Sequence, residues 1–110
     1  MKDSSLAKLK AFLQSGQDWE RLPTTVPGIT VVRMPPRKKG GQPELSIEIL
    51  PLGRDGQPIR FRGLFVKTEE QVRAFQEVLT SPKLNDLAIA VQKINDAHSG
   101  HSNVRGGLEL

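Results

Sequence analysis

Arg60, Phe61 and Arg62 stand side by side in the middle of a 110-residue chain, and Phe65 follows three residues after Arg62. Guanidinium groups bind phosphate oxygens, and flat aromatic rings or guanidinium planes stack on bases. Interleaving the two types is the chemistry of contact with a nucleic-acid strand. More cations lie close in sequence: Arg33 in an apolar run, then Arg37, Lys38 and Lys39 in a loop with two glycines. The candidate binding residues are therefore Arg33, Arg37, Lys38, Lys39, Arg60, Arg62, Phe61 and Phe65. The charge distribution agrees. Residues 21–67 hold nine basic and three acidic residues, whereas residues 1–20 balance and residues 68–110 are net acidic. A polyanion would meet the middle of the chain first.

Other chemistries find few residues to use. His98 and His101 sit in a Ser/Gly-rich stretch that would not hold a general base in place. As an H-x-x-H pair they are too few to ligate a metal, and Ser99 and Gly100 between them disfavour a helix. There is no cysteine, so disulfides and thiolate metal sites are excluded, which suits a cytoplasmic protein. No glycine-rich phosphate loop follows a strand, and no apolar run is long enough for a signal peptide or a membrane span. The expectation is a non-enzymatic protein with no catalytic residues, no metal and no cofactor.

The elements that must position these residues follow from periodicity. Leu6, Leu9, Phe12 and Leu13 make one stripe of a helix over residues 5–15, capped by Ser4 or Ser5 and ended by Gly16. Residues 22–28 (LPTTVPG) read as an extended, turning connector, with Trp19 just before it as a packing anchor or a stacking residue. Ile29–Met34 is β-branched and ends at two prolines. Glu44–Leu50 alternates, with Leu45, Ile47 and Ile49 on one face and Ser46 and Glu48 on the other. The turn signal Asp55-Gly56 then predicts a hairpin whose return strand is Pro58–Val66. In that strand Ile59 and Phe61 share one face and Arg60 and Arg62 the other. The arginines then form either a solvated face paired with Glu48 or a phosphate-binding face, and Phe61 is either core or platform. Gly63 interrupts the alternation, as a bulge or a point of close approach; a bulge would put Phe65 on the arginine face.

Thr68-Glu69-Glu70-Gln71 is a capping box opening a helix with Val72, Phe75, Val78 and Leu79 on its stripe. Ser81-Pro82 opens another, with Leu84, Leu87, Ala88, Val91 and Ile94. The fold class is thus α+β: a three- to four-stranded antiparallel sheet with one N-terminal and two C-terminal helices packed against one face. A single domain is expected over residues 1–97, followed by a disordered tail over 98–110.

The stretches RLPTTVPGITVVRMPPR (21–37), ELSIEILPLGRDGQPIRFRGLFV (44–66) and VRAFQEVLTSPKLNDLAIAVQKIN resemble the ThermoDBP-related family of single-stranded nucleic-acid-binding proteins from archaea. The order of elements is also similar to that of the positive transcriptional coactivators, which bind melted DNA. The resemblance implies a basic cleft with exposed aromatic side chains at Arg33, Arg37, Arg60, Arg62, Phe65 and Lys39, and a homodimer through the C-terminal helix. Here that helix lacks the sustained heptads of a zipper. The expected function is largely sequence-independent binding of single-stranded DNA or RNA. The alternative is a protein-interaction adaptor or coactivator-like module docking on an acidic partner.

Overall fold

The computed structural model describes residues 1–99. They form helix α1 (Asp3–Ser15), strands β1 (Arg21–Pro23), β2 (Ile29–Met34), β3 (Glu44–Ile49) and β4 (Leu64–Val66), then helices α2 (Glu69–Leu79) and α3 (Pro82–Ser99). The strands pair in the order β1-β2-β3-β4, antiparallel throughout. This is the α+β composition expected, with one N-terminal and two C-terminal helices. The chain divides into two compact units, Met1–Gln71 and a second that begins at Val72.

In the first unit, α1 starts at Asp3 without a side-chain cap and stops at Gly16, whose amide bonds the Phe12 carbonyl at 2.9 Å. Part of the predicted connector instead pairs as β1, with Arg21 opposite Val32 and Pro23 opposite Thr30. An edge position tolerates proline, whose missing N–H breaks no rung of the ladder. After it, Thr24 Oγ1 accepts from the Val26 amide and donates to the Ile29 carbonyl, turning the chain back into β2.

Register sorts the sheet into two faces. One carries Leu22, Ile29, Val31, Leu45, Ile47, Ile49, Leu64 and Val66, together with Arg33. The other carries Arg21, Thr30, Val32, Met34, Glu44, Ser46, Glu48 and Phe65. The alternation expected in β3 is present. The second face includes three of the most buried side chains, Val32, Ser46 and Glu48, and Ser46 Oγ donates to the Val66 carbonyl at 3.3 Å.

The return strand is shorter than expected. Only Leu64–Val66 pair with β3, and residues 58–63 form an arm outside the ladder. Pro51 ends β3's run of donors, and the chain beyond closes on itself. Gly53 N bonds the Gln57 carbonyl at 2.6 Å and Ile59 N the Pro51 carbonyl at 3.1 Å, while the Asp55 side chain accepts from the Gln57 amide. Gly56 takes the turn's left-handed position at φ 80°. At the arm's root Gly63 is pressed against β3: a Cβ there would lie 2.5 Å from the Ile49 carbonyl oxygen and 2.8 Å from Glu48 Cγ.

The capping box forms as expected. Gln71 N donates to Thr68 Oγ1 at 3.1 Å, and Gln71 Oε1 accepts from the amides of Thr68 and Lys67. In the second unit α3 begins at Pro82 and continues through His98 and Ser99, so the first two residues of the expected tail are helical. The remainder of that tail lies outside the described residues. Leu87, Val91 and Ile94 of the predicted stripe are exposed.

Gly63→Ala should destabilise the chain by about 1–3 kcal/mol, because β3 backbone rather than a movable side chain occupies the space. A lower urea midpoint at unchanged m-value is the expected result.

Candidate nucleic-acid interface

The second sheet face opens into two adjoining hollows that share Trp19, Met34 and Phe65. The first, of 620 Å³, is bordered by Pro35, Pro36, Arg37 and Lys38 on one side and by Glu44, Ser46 and Lys67 on the other. The second, of 840 Å³, is bordered by Arg21, Glu48, Leu50, Phe61 and Arg62. Together they make a groove with three aromatic rings and cations at both ends.

Each aromatic reaches the groove by a different local device. Gly63 marks a close approach to β3 rather than a bulge within a ladder, and the residues after it pair so that Phe65 stands opposite Glu48 on the groove face. Phe61 rides on the unpaired arm and is 91% exposed, with the Arg62 guanidinium 6.0 Å from its ring centroid. That separation is at the outer range of a cation–π contact. Trp19 sits in the turn over residues 17–20 with φ 67°, a left-handed backbone unusual for a bulky side chain. Its amide bonds the Arg33 carbonyl at 2.6 Å, and the Gln17 amide bonds Glu20 Oε1 at 2.8 Å. Such a conformation costs of order 1–3 kcal/mol and persists only where the surroundings enforce it. Here it holds an indole that remains 55% exposed.

Of the residues picked out in the sequence, the groove gathers Arg37, Lys38, Phe61, Arg62 and Phe65. It does not gather the other three. Arg33 lies on the opposite, apolar face, because it shares the parity of Val31. Its Nε donates to the Leu13 carbonyl at 2.8 Å and its Nη1 pairs with Asp18 at 3.0 Å, so it ties the end of α1 to β2. Its side chain is only 13% exposed. Lys39, in the loop, and Arg60, on the arm, border neither hollow. Nor does Phe61 belong to a core, since the arm leaves the ladder before reaching it. The groove also holds Arg21, Trp19 and Lys67, which lie outside that set. Arg21 sits just ahead of the 22–28 stretch that reads as connector, and Trp19, the chain's one tryptophan, reads from sequence as either a packing anchor or a stacking residue.

The expected partner for Glu48, an arginine of the return strand, is replaced by Arg21 from β1. Arg21 Nε donates to Glu48 Oε1 at 2.9 Å, and the Gly63 amide donates to Glu48 Oε2 at 3.2 Å. Burial pushes the Glu48 carboxyl up, but the Arg21 hydrogen bond, the Gly63 amide and the Arg21 charge outweigh it, leaving the group below the ordinary carboxylate range. At the other end, Lys67 Nζ lies 2.8 Å from Glu44 Oε2. Its hydrogen bond and charge, with a smaller contribution from Arg37, hold Glu44 low as well. Among the described residues no three His, Cys, Asp or Glu side chains come together as a metal site, and no helix is long and apolar enough to cross a membrane. Comparison with protein-family models, curated proteins and solved structures finds no match.

Because Glu48's folded value is depressed, its stabilising contribution is complete above about pH 4.3 and is lost as pH falls through the lower folded value. Glu48→Gln should therefore be less stable than the native chain at pH 7. In urea titrations that difference should narrow below about pH 4.

Proposed function

We infer that this protein binds single-stranded nucleic acid, without catalysis, along the groove between the 35–38 loop and the Phe61–Arg62 arm. The observation that carries this is the exposure of Trp19, Phe61 and Phe65 on one surface whose ends bear Arg37, Lys38, Arg21 and Arg62. Apolar rings left in water beside cations, of which Arg37, Lys38 and Arg62 are in none of the ion pairs found among the described residues, are poorly explained by folding, whereas unstacked bases on a phosphate chain match both. A duplex hides its base faces and would leave the rings unused. The resemblance to the ThermoDBP-related family points the same way. Ring faces and phosphate charge are common to every nucleotide, so binding of this kind is largely tolerant of sequence. The same proposal includes a homodimer through α3, whose Leu87, Val91 and Ile94 are exposed.

Titrating oligonucleotides at several salt concentrations tests it. Trp19→Asn keeps a residue that tolerates the left-handed backbone, so its effect reports the indole. Trp19→Asn and Phe61→Ala should each weaken single-strand binding by about 1–3 kcal/mol at unchanged salt slope. Lys38→Gln should instead reduce the slope of log affinity against log salt by about 0.7. Absence of binding at low salt overturns the proposal.

A further inference from the structure

We propose that Glu48 is the residue that makes the groove distinguish a single strand from a duplex, by holding Arg21 as a charge-balanced stacking plane. This rests on the single-strand role above and adds to it a positioning residue and a second kind of arginine. Glu48 is 4% exposed at the centre of the groove face, bonded to Arg21 Nε on one oxygen and to the Gly63 amide on the other. The ion pair takes only the Nε edge of the guanidinium, and the Arg21 side chain stays 57% exposed where it lines the groove with Phe61 and Phe65. Arg37, Lys38 and Arg62 take part in none of the ion pairs found among the described residues.

These two states have different chemistry toward a polyanion. An unpaired cation displaces condensed counterions from any phosphate chain, duplex or single. A guanidinium already balanced by a carboxylate gains little from a phosphate, yet its flat face still stacks on an exposed base. Glu48 thus lowers the attraction the two forms share and keeps the contact that only the single strand can make. Through Gly63 the same carboxylate fixes the root of the arm that carries Phe61, so platform and plane keep one geometry.

The test measures affinity for an oligodeoxythymidine and for a mixed-sequence duplex of equal length across a salt series. Thermal melts confirm that each variant is folded. Glu48→Gln should bind the duplex more tightly, steepen the salt slope by about 0.7–0.9, and lower the single-strand preference about tenfold, the equivalent of one stacked base. Arg21→Gln combined with Glu48→Gln should return the slope to the native value while leaving the preference low. Arg21→Lys leaves Glu48 paired and serves if both glutamine variants fail to fold; it should weaken single-strand binding at unchanged slope. A folded Glu48→Gln with the native ratio, or one that weakens both ligands by the same factor, overturns the assignment, as does a lower slope in Arg21→Lys. If the native chain binds neither ligand, the single-strand role falls and this proposal falls with it. A native preference that Glu48→Gln leaves intact removes this proposal alone.

Discussion

A carboxylate taken almost wholly out of water must find donors for its oxygens, and the arrangement of the first unit follows from how Glu48 finds them. One oxygen reaches across β2 to Arg21 on the edge strand, and the other takes the amide of Gly63 at the arm's root. Three stretches distant in sequence are thereby joined at one central group of β3. Leaving such a charge unpaired costs far more than the pair itself contributes, so each partner is held by the penalty of losing it. Gly63 adds a steric condition, since only a residue without Cβ fits against the β3 backbone. Where the arm leaves the sheet, and hence where Phe61 and Arg62 stand, is set at this junction.

The groove shows a division of labour among its cations that composition hides. Arg33 and Arg62 count equally toward net charge, yet one is spent on the end of α1 and the other stands beside an exposed ring. Lys67 is balanced by Glu44, while Arg37 and Lys38 border the same hollow outside any ion pair found among the described residues. The charge open to a polyanion in the proposed role is the unpaired subset, at the two ends of an aromatic floor.

Features governed by neighbours along the chain were legible in the sequence. The alternation of β3, the Asp55-Gly56 turn, the Thr68–Gln71 capping box and the interruption at Gly63 all depend on local periodicity or backbone chemistry, and all are present. Features governed by pairing partners were not. Residues 58–62 have the composition of a strand, but β3 has stopped at Ile49 and offers them no ladder. Residues 22 and 23 open a stretch with the composition of a connector, but β2 is beside them and pairs. The face of Arg33 was ambiguous because valines occupy both parities of β2. The left-handed Trp19 carries no local signature; its amide is bound to the Arg33 carbonyl of β2, a partner distant in sequence.

The sheet's two edges are its shortest strands, three residues each against six for the inner pair. β1 ends in Pro23, which cannot donate, and β4 is cut off on one side by Gly63. An added strand would find one or two rungs on either border, too few to template the growth of the sheet by a peptide or by another copy of the chain. In the proposed role, recognition is thereby left to side chains on the flat of the sheet. The same brevity guards a basic, aromatic surface against the edge-to-edge aggregation that a long open border would invite.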